Sequence, residues 1–218
     1  MKKIFLLVII SFLFIVGCTG DGNKVKNVDD LTVLHPQGFA DLAMMFDELK
    51  YEHDVVYSSE KHVVSYTYGG QEEIDGSMVS KLIFDLSGED AIIYVNSDGE
   101  EVKASHRGDT YTKDDEGLRF ILMEIKSKMP RIFSLPSEHI TKRDRDRNTL
   151  TKNEKFSING YSGTREVYED ERESSITGEI TNTIKHIGIF DNFMLMLYEK
   201  VERSDHDFEF EIISFKVK

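Results

Sequence analysis

The stretch Asp114 to Pro130, DDEGLRFILMEIKSKMP, carries the clearest helical periodicity in the chain and sets the expected fold class. Leu118, Ile121, Leu122, Ile125 and Met129 recur at the spacing that lines one face of a 3.6-residue turn. Arg119, Glu124, Lys126 and Lys128 fall on the watered side, Asp114 or Asp115 offers a cap, and Pro130 stops the pattern. An amphipathic helix needs a surface for its stripe, and the flanking residues read as that surface.

Upstream, His62 to Tyr68 and Lys81 to Leu86 are rich in β-branched and aromatic residues and read as strands. Ala91 to Val95 runs into the turn Asn96-Ser97-Asp98-Gly99, from which Glu101 to Ser105 returns as a hairpin. Downstream, Gly163 to Glu169, Ile180 to Phe190, Phe193 to Glu199 and Phe208 to Val217 are further strands, joined by turns at Asp191-Asn192 and Arg203 to Asp207. The last strand alternates through Phe208, Phe210 and Ile212, then shifts phase to Ile213, Phe215 and Val217, which predicts a bulge or burial on both faces. A further helix is expected from Gly38 to Glu52, where Phe39, Leu42, Ala43, Phe46 and Leu49 recur at helical spacing after Pro36. No repeat or Pro-rich linker divides the body. Residues 31–218 therefore read as one α+β domain, an antiparallel sheet packed against two main helices.

The N-terminus has a different character. Lys2 and Lys3 precede an apolar run from Ile4 to Val16, interrupted by Ser11, which has the charged n-region and short h-region of an export signal. A run of that length is too short for a membrane span of roughly 20 residues. Ile15-Val16-Gly17-Cys18 then resembles the lipobox of bacterial lipoproteins. The resemblance implies a signal peptide of residues 1–17, cleavage between Gly17 and Cys18, and a diacylglycerol on the Cys18 sulfur. The new amine is then a further acylation point.

With one cysteine in the chain, and that one assigned to lipid, no disulfide is expected. Two or three acyl chains make release from the membrane negligible, so the expected location is the cell envelope. Thr19 is not the aspartate of the inner-membrane sorting rule, which favours the outer membrane where an organism has one, and otherwise the outer face of the cell membrane. Residues 18–30, with TGDGNKVKNVDD from Thr19, form a polar tether reaching roughly 40 Å when extended.

Without Lys2 and Lys3 the mature chain holds 25 basic against 40 acidic residues, a formal charge of −15. Such a surface repels phosphate backbones, so no nucleic-acid partner is expected, and contact with the membrane should come through the lipid on Cys18. The one basic cluster, Lys142-Arg143-Asp144-Arg145-Asp146-Arg147, nearly cancels its own charge and reads as a solvated loop, with a binding site for an acidic partner as the alternative.

The helix, the polar loop, Ile158-Asn159-Gly160-Tyr161 opening a strand, and a meander ending in Ile212-Ile213-Ser214-Phe215-Lys216 together resemble the closing half of PsbP/Mog1/DcrB-like domains. That resemblance, over Leu118 to Lys218, implies an α/β sandwich and a non-enzymatic accessory role. Leu31 to Phe46 departs from the family's opening strand. The same alternation of hairpins and helix also resembles the LolA/LolB-like half-barrel, a lipid carrier.

Signals for chemistry are weak throughout. His35, His53, His62, His106, His139, His186 and His206 are scattered, with no pair at ligand spacing, so no metal is expected. Ser204-Asp205-His206-Asp207 reads as a turn, and Asn96 to Glu100 as a hairpin rather than a calcium loop. Tyr161-Ser162-Gly163 lacks the glycine pattern of a nucleophile elbow, and Gly69-Gly70, Gly160 and Gly163 open no phosphate-binding helix. Met44-Met45 and Met194 to Met196 suit a core as well as a lipid pocket. The sequence thus predicts no catalytic residue and no cofactor. It describes an envelope lipoprotein acting through an unidentified envelope protein partner, with a lipid or lipoprotein carrier as the alternative and an envelope hydrolase third.

Overall fold

The computed structural model describes residues 30–54, 60–129, 132–134, 145, 148–204 and 207–218. In chain order these form β1 (Thr32–Val33), α1 (Phe39–Met45), β2 (Phe46–Asp54), β3 (Lys61–Ile74), β4 (Ser77–Leu86), β5 (Asp90–Asn96), β6 (Glu101–His106), β7 (Asp109–Thr112) and α2 (Gly117–Ser127). A 3-10 turn at Ile132–Ser134 follows, then β8 (Thr149–Ile158), β9 (Tyr161–Glu173), β10 (Ile180–Ile189), β11 (Phe193–Glu202) and β12 (Phe208–Val217). The strands make one 12-stranded sheet in the order β7-β6-β5-β4-β3-β2-β12-β11-β10-β9-β8, with β1 beside β11. Every pairing is antiparallel except that of β1. The chain meanders outward from β2 to β7, then returns from the far edge through β8 to β12, which closes on β2.

Much of this meander is built by two-residue turns in which both residues take positive φ: Asp75-Gly76, Ser87-Gly88, Arg107-Gly108 and Asn159-Gly160, with φ between 49° and 91°. That is the type I′ geometry whose twist matches paired strands. Asn159-Gly160, noted in the sequence only as the opening of a strand, is the turn between β8 and β9.

The expected α+β sandwich on two main helices is overturned, because the molecule is predominantly β. The helix expected from Gly38 to Glu52 stops at Met45, and Phe46 opens β2 with extended backbone. The register with β12 slips between Lys216 and Val217, opposite Phe46 to Glu48. That irregularity turns both Phe46 and Leu49 into the core, reproducing a helical spacing of three in a strand. From Leu49 onward the true period of two appears, with Leu49, Tyr51 and His53 buried. β7 and β8 were also missed, since both edge strands are mostly polar.

α2 is where its periodicity placed it, with Leu118, Ile125 and Met129 buried and Ile121 and Leu122 packed at the margin. Its expected cap does other work. The Asp115 carboxylate accepts from Thr112 N at 2.7 Å and Thr112 Oγ1 at 2.9 Å, closing the turn that leaves β7. Pro130 lies outside the described residues.

The bulge expected in the last strand is present between Ile212 and Ser214, where the register with β2 shifts. It marks a fork. β12 pairs with β11 only from Phe208 to Glu211, and beyond the bulge it continues along β2 alone. β1 takes the vacated edge of β11, pairing Thr32 with Phe193 and Val33 with Met194. Across the fork, Val217 N donates to Tyr161 Oη at 2.9 Å, and the Tyr161 ring stacks on Phe215 at 5.0 Å. Phe190 and Phe193 complete this aromatic group. Gly163 is required there, since a Cβ would stand 2.2 Å from Ile189 O.

Candidate functional site

The densest polar constellation stands where α2 meets one end of the sheet. Glu89 follows the Ser87-Gly88 turn, His106 ends β6 and Arg107 opens the Arg107-Gly108 turn, and Glu124 and Lys128 lie one turn apart on and just beyond α2. Arg107 grips both carboxylates, reaching Glu89 at 2.8 and 2.9 Å and Glu124 at 2.8 Å. The Lys128 ammonium also donates to Glu89. These hydrogen bonds, from Arg107 first and Lys128 second, pull the Glu89 carboxyl down to about 2.

His106 is fully enclosed within this group. Its Nε2 lies 3.2 Å from Glu89, while Nδ1 lies 3.8 Å from Glu124 and has no hydrogen-bond partner among the described residues. His53, buried on β2, places Nε2 at 3.2 Å from the Lys128 carbonyl. The arrangement joins the end of α2 to β2, β6 and the turns that follow β4 and β6. Its carboxylates are engaged by cations of the same cluster, which suits a clamp on α2.

A second constellation lies on the other wing. Arg145 takes Glu166 in a bidentate grip at 2.7 and 3.0 Å, and Tyr168 Oη donates to the same carboxylate at 2.6 Å. Burial, then the Glu166 carboxylate, pushes Tyr168 up to about 12. Arg145 therefore departs from the solvated loop expected for Lys142 to Arg147: its side chain is 17% exposed. The rest of that cluster lies outside the described residues.

The other candidates disperse. His62 meets His53 edge-on at 5.8 Å, and His186 stacks on Tyr198 at 4.5 Å, where burial and then Arg165 lower its pKa. His35 lies near β1, while His139 and His206 fall outside the described residues. Among the described residues no three metal-binding side chains converge. Asn96 Oδ1 accepts from Asp98 N and Glu100 N, and Lys113 holds Glu100, so Asn96 to Glu100 forms the hairpin turn expected from the sequence. Ser162 sits in the β8–β9 ladder opposite Ser157. Ser204 Oγ donates to Glu179, with Asp205 outside the described residues. Gly17 and Cys18 also lie outside them.

Open surface is found elsewhere. A groove of about 700 Å³ runs along the outer side of α2, lined by Glu116, Arg119, Phe120, Met123 and Lys126 among others. Phe120 is 72% and Met123 58% exposed. A second, about 500 Å³, borders α1 and Tyr68, and a third, about 410 Å³, lies among carboxylates and threonines of β8 to β11. The α2 groove has a weaker sequence signal than the buried stripe on the opposite face of the helix. Its signal is the apolar pair Phe120 and Met123, three apart and off that stripe.

No protein-family model matches this chain. No curated protein matches it either. Among solved structures it is similar to the 2.70 Å crystal structure of a "putative lipoprotein" from Parabacteroides distasonis ATCC 8503, covering 86% of this chain and 100% of that one. The identity is 11% and the TM-score 0.29, too low for the likeness to carry an argument.

Proposed function

We propose that this chain is the precursor of a cell-envelope lipoprotein, lipidated on Cys18, whose folded body is a non-catalytic accessory module acting through protein contacts. The observation that carries the proposal is Ile15-Val16-Gly17-Cys18 standing at the end of the Ile4 to Val16 apolar run, with Cys18 the one cysteine of the chain. The polar composition of residues 18–30 suits a tether that sets the body at a distance from the bilayer. The polar clusters around Arg107 and Arg145 are occupied in holding the body's own elements together, and the outer side of α2 exposes the apolar pair Phe120 and Met123.

A carrier would need a continuous apolar cavity beneath α2. Ile125 and Met129 instead sit in the core there, 0% and 1% exposed, and the grooves found among the described residues have mixed linings. The accessory reading is therefore preferred.

The experiment is metabolic labelling with a clickable fatty acid, followed by detergent-phase partition of the wild type and Cys18→Ala. The wild type is expected to be labelled and to enter the detergent phase; the variant should lose both properties. Normal processing and membrane retention of Cys18→Ala would overturn the proposal.

A further inference from the structure

Among the described residues the sheet ends on β7 at one side and on β8 at the other. β7 runs only four residues, beside α2. β8 runs ten, with exposed side chains from Thr149 to Asn153 and at Lys155 and Ser157. Which of its backbone groups face outward follows from its hairpin. Asn159-Gly160 is a two-residue turn, so Ile158 and Tyr161, which flank it, form a hydrogen-bonded pair. Such pairs alternate with non-bonded ones along an antiparallel ladder, so Phe156, Glu154 and Lys152 also bond inward to β9. Asn153, Lys155 and Ser157 therefore turn their N–H and C=O groups away from β9, where they offer a template for another strand.

We infer that β8 is an isologous pairing edge for a second copy of this chain, the two sheets joining antiparallel across a two-fold axis at Asn153. That register sets Lys152 opposite the partner's Glu154 and Glu154 opposite the partner's Lys152. Within one strand Lys152 and Glu154 already meet at 2.6 Å, and Arg165 also holds Glu154. The pairing leaves those contacts in place: the two Lys152–Glu154 pairs close a ring of four charges in which each is flanked by two of opposite sign. The neighbouring two-fold registers place Lys152 on Lys152 or Glu154 on Glu154, like charges directly opposed. β8 carries two lysines against one glutamate, so the edges do not set the chain's negative excess against itself. The irregularity between Leu150 and Lys152 bounds the match, leaving Thr151 to Lys155 of each copy in contact. So short an interface falls below the roughly 1,000 Å² of a stable one, and the association is transient. The inference goes beyond the accessory reading by naming a partner, and it does not rest on Cys18.

The test uses the full chain with Cys18 intact, in whole cells, so that the protein is assayed where it resides and at its own local concentration. Lys152→Cys and Glu154→Cys copies are co-expressed and mildly oxidised, and the disulfide-linked peptides are weighed; a product through residue 18 is told apart by its mass. Opposite residues at this non-bonded position stand about 4.5 Å apart between Cα atoms, within disulfide reach, and diagonal ones roughly 7 to 8 Å, outside it. The 152–154 heterodisulfide should therefore exceed the 152–152 and 154–154 products several-fold, and Met78→Cys, exposed on β4, should give little cross-link. Asn153→Pro in both copies removes an outward N–H without touching the ladder with β9, and should abolish the heterodisulfide while the purified protein keeps its circular dichroism. Asn153→Glu in both copies sets like charges on the axis and should lower the yield, and pairing an Asn153→Glu copy with an Asn153→Lys copy should restore it. Equal yields for the hetero- and homodisulfides and the Met78→Cys control would overturn the inference. So would a yield unchanged by Asn153→Pro, or capture of Glu154→Cys by a different envelope protein with no self-linked product.

Discussion

The two wings of the sheet bury their residues in different ways. On β4 and β5, near the helices, buried positions are apolar and frequent: Val79, Leu82, Phe84 and Leu86, then Ala91, Ile93, Tyr94 and Val95. On β8 no residue is fully buried, and on β9 only Glu166 and Tyr168 are. The second wing compensates in two places, through the aromatic group at the fork and through the Arg145–Glu166–Tyr168 cluster. A helix laid on a sheet removes a broad area from water and rewards hydrophobic alternation. A sheet without that cover is held by a few specific contacts at its root, and most of its strands carry polar residues on both faces.

The sharpest way to break this comparison is to truncate one large apolar residue on each side of it. Ile125, which anchors α2 to the first wing, is fully buried, and Ile125→Ala should lose about 2 to 5 kcal/mol in urea unfolding. Ile121→Ala, at the margin of the same stripe, should lose less. Leu150→Ala on β8, at 47% exposure, should stay within about 0.5 kcal/mol. Equal losses for Ile125 and Leu150 would show that the helix-covered wing has no special share of the core.

A smaller effect sharpens the account of the fork. Tyr161→Phe keeps the ring against Phe215 and removes only the hydroxyl that receives Val217 N. The expected cost is about 0.5 to 1.5 kcal/mol, with faster amide exchange at Val217. Unchanged exchange there would mean that the aromatic rings alone hold the wings together.

The smallest effect shows as a dependence on pH. Glu89 is held at about 2 in the folded protein, below its ordinary 4.5, first by Arg107 and then by Lys128. A carboxyl depressed on folding adds stability above its unfolded pKa, and that stability is lost as pH falls through the folded value. The urea midpoint of the wild type should therefore decline between about pH 4.5 and 2, and Glu89→Gln should decline less over that window. Identical slopes would place the acid-sensitive contacts elsewhere, for instance in the second wing.

Several elements were legible because their signal is local. The stripe of α2, the hairpin at Asn96 to Gly99, and the bulge after Ile212 each follow from spacing within a few residues. The edge strands were not, because β7 and β8 bury too little to show a hydrophobic period. A turn signal was nevertheless present: Asp75-Gly76 and Asn159-Gly160 are the dipeptides that favour type I′ turns, and reading them as such would have announced both hairpins. Of the charged constellations, neither was foreseen. Glu89, His106 and Glu124 belong to three elements, and nothing in their separation along the chain marks them as neighbours.

What the amino-acid sequence determined by itself is therefore local: the apolar run before Ile15-Val16-Gly17-Cys18 as a pattern, the acidic balance, α2 and most of the central strands. Tertiary structure decided the rest. Whether Phe46 and Leu49 share a helix face or flank a bulge in a strand depends on β12 lying beside them, because a spacing of three satisfies both geometries until a partner's register selects one. The return of β12 to β2, the fork that admits β1, and the enclosure of His106 between Glu89 and Glu124 follow from pairings far apart in the chain, which no local preference encodes.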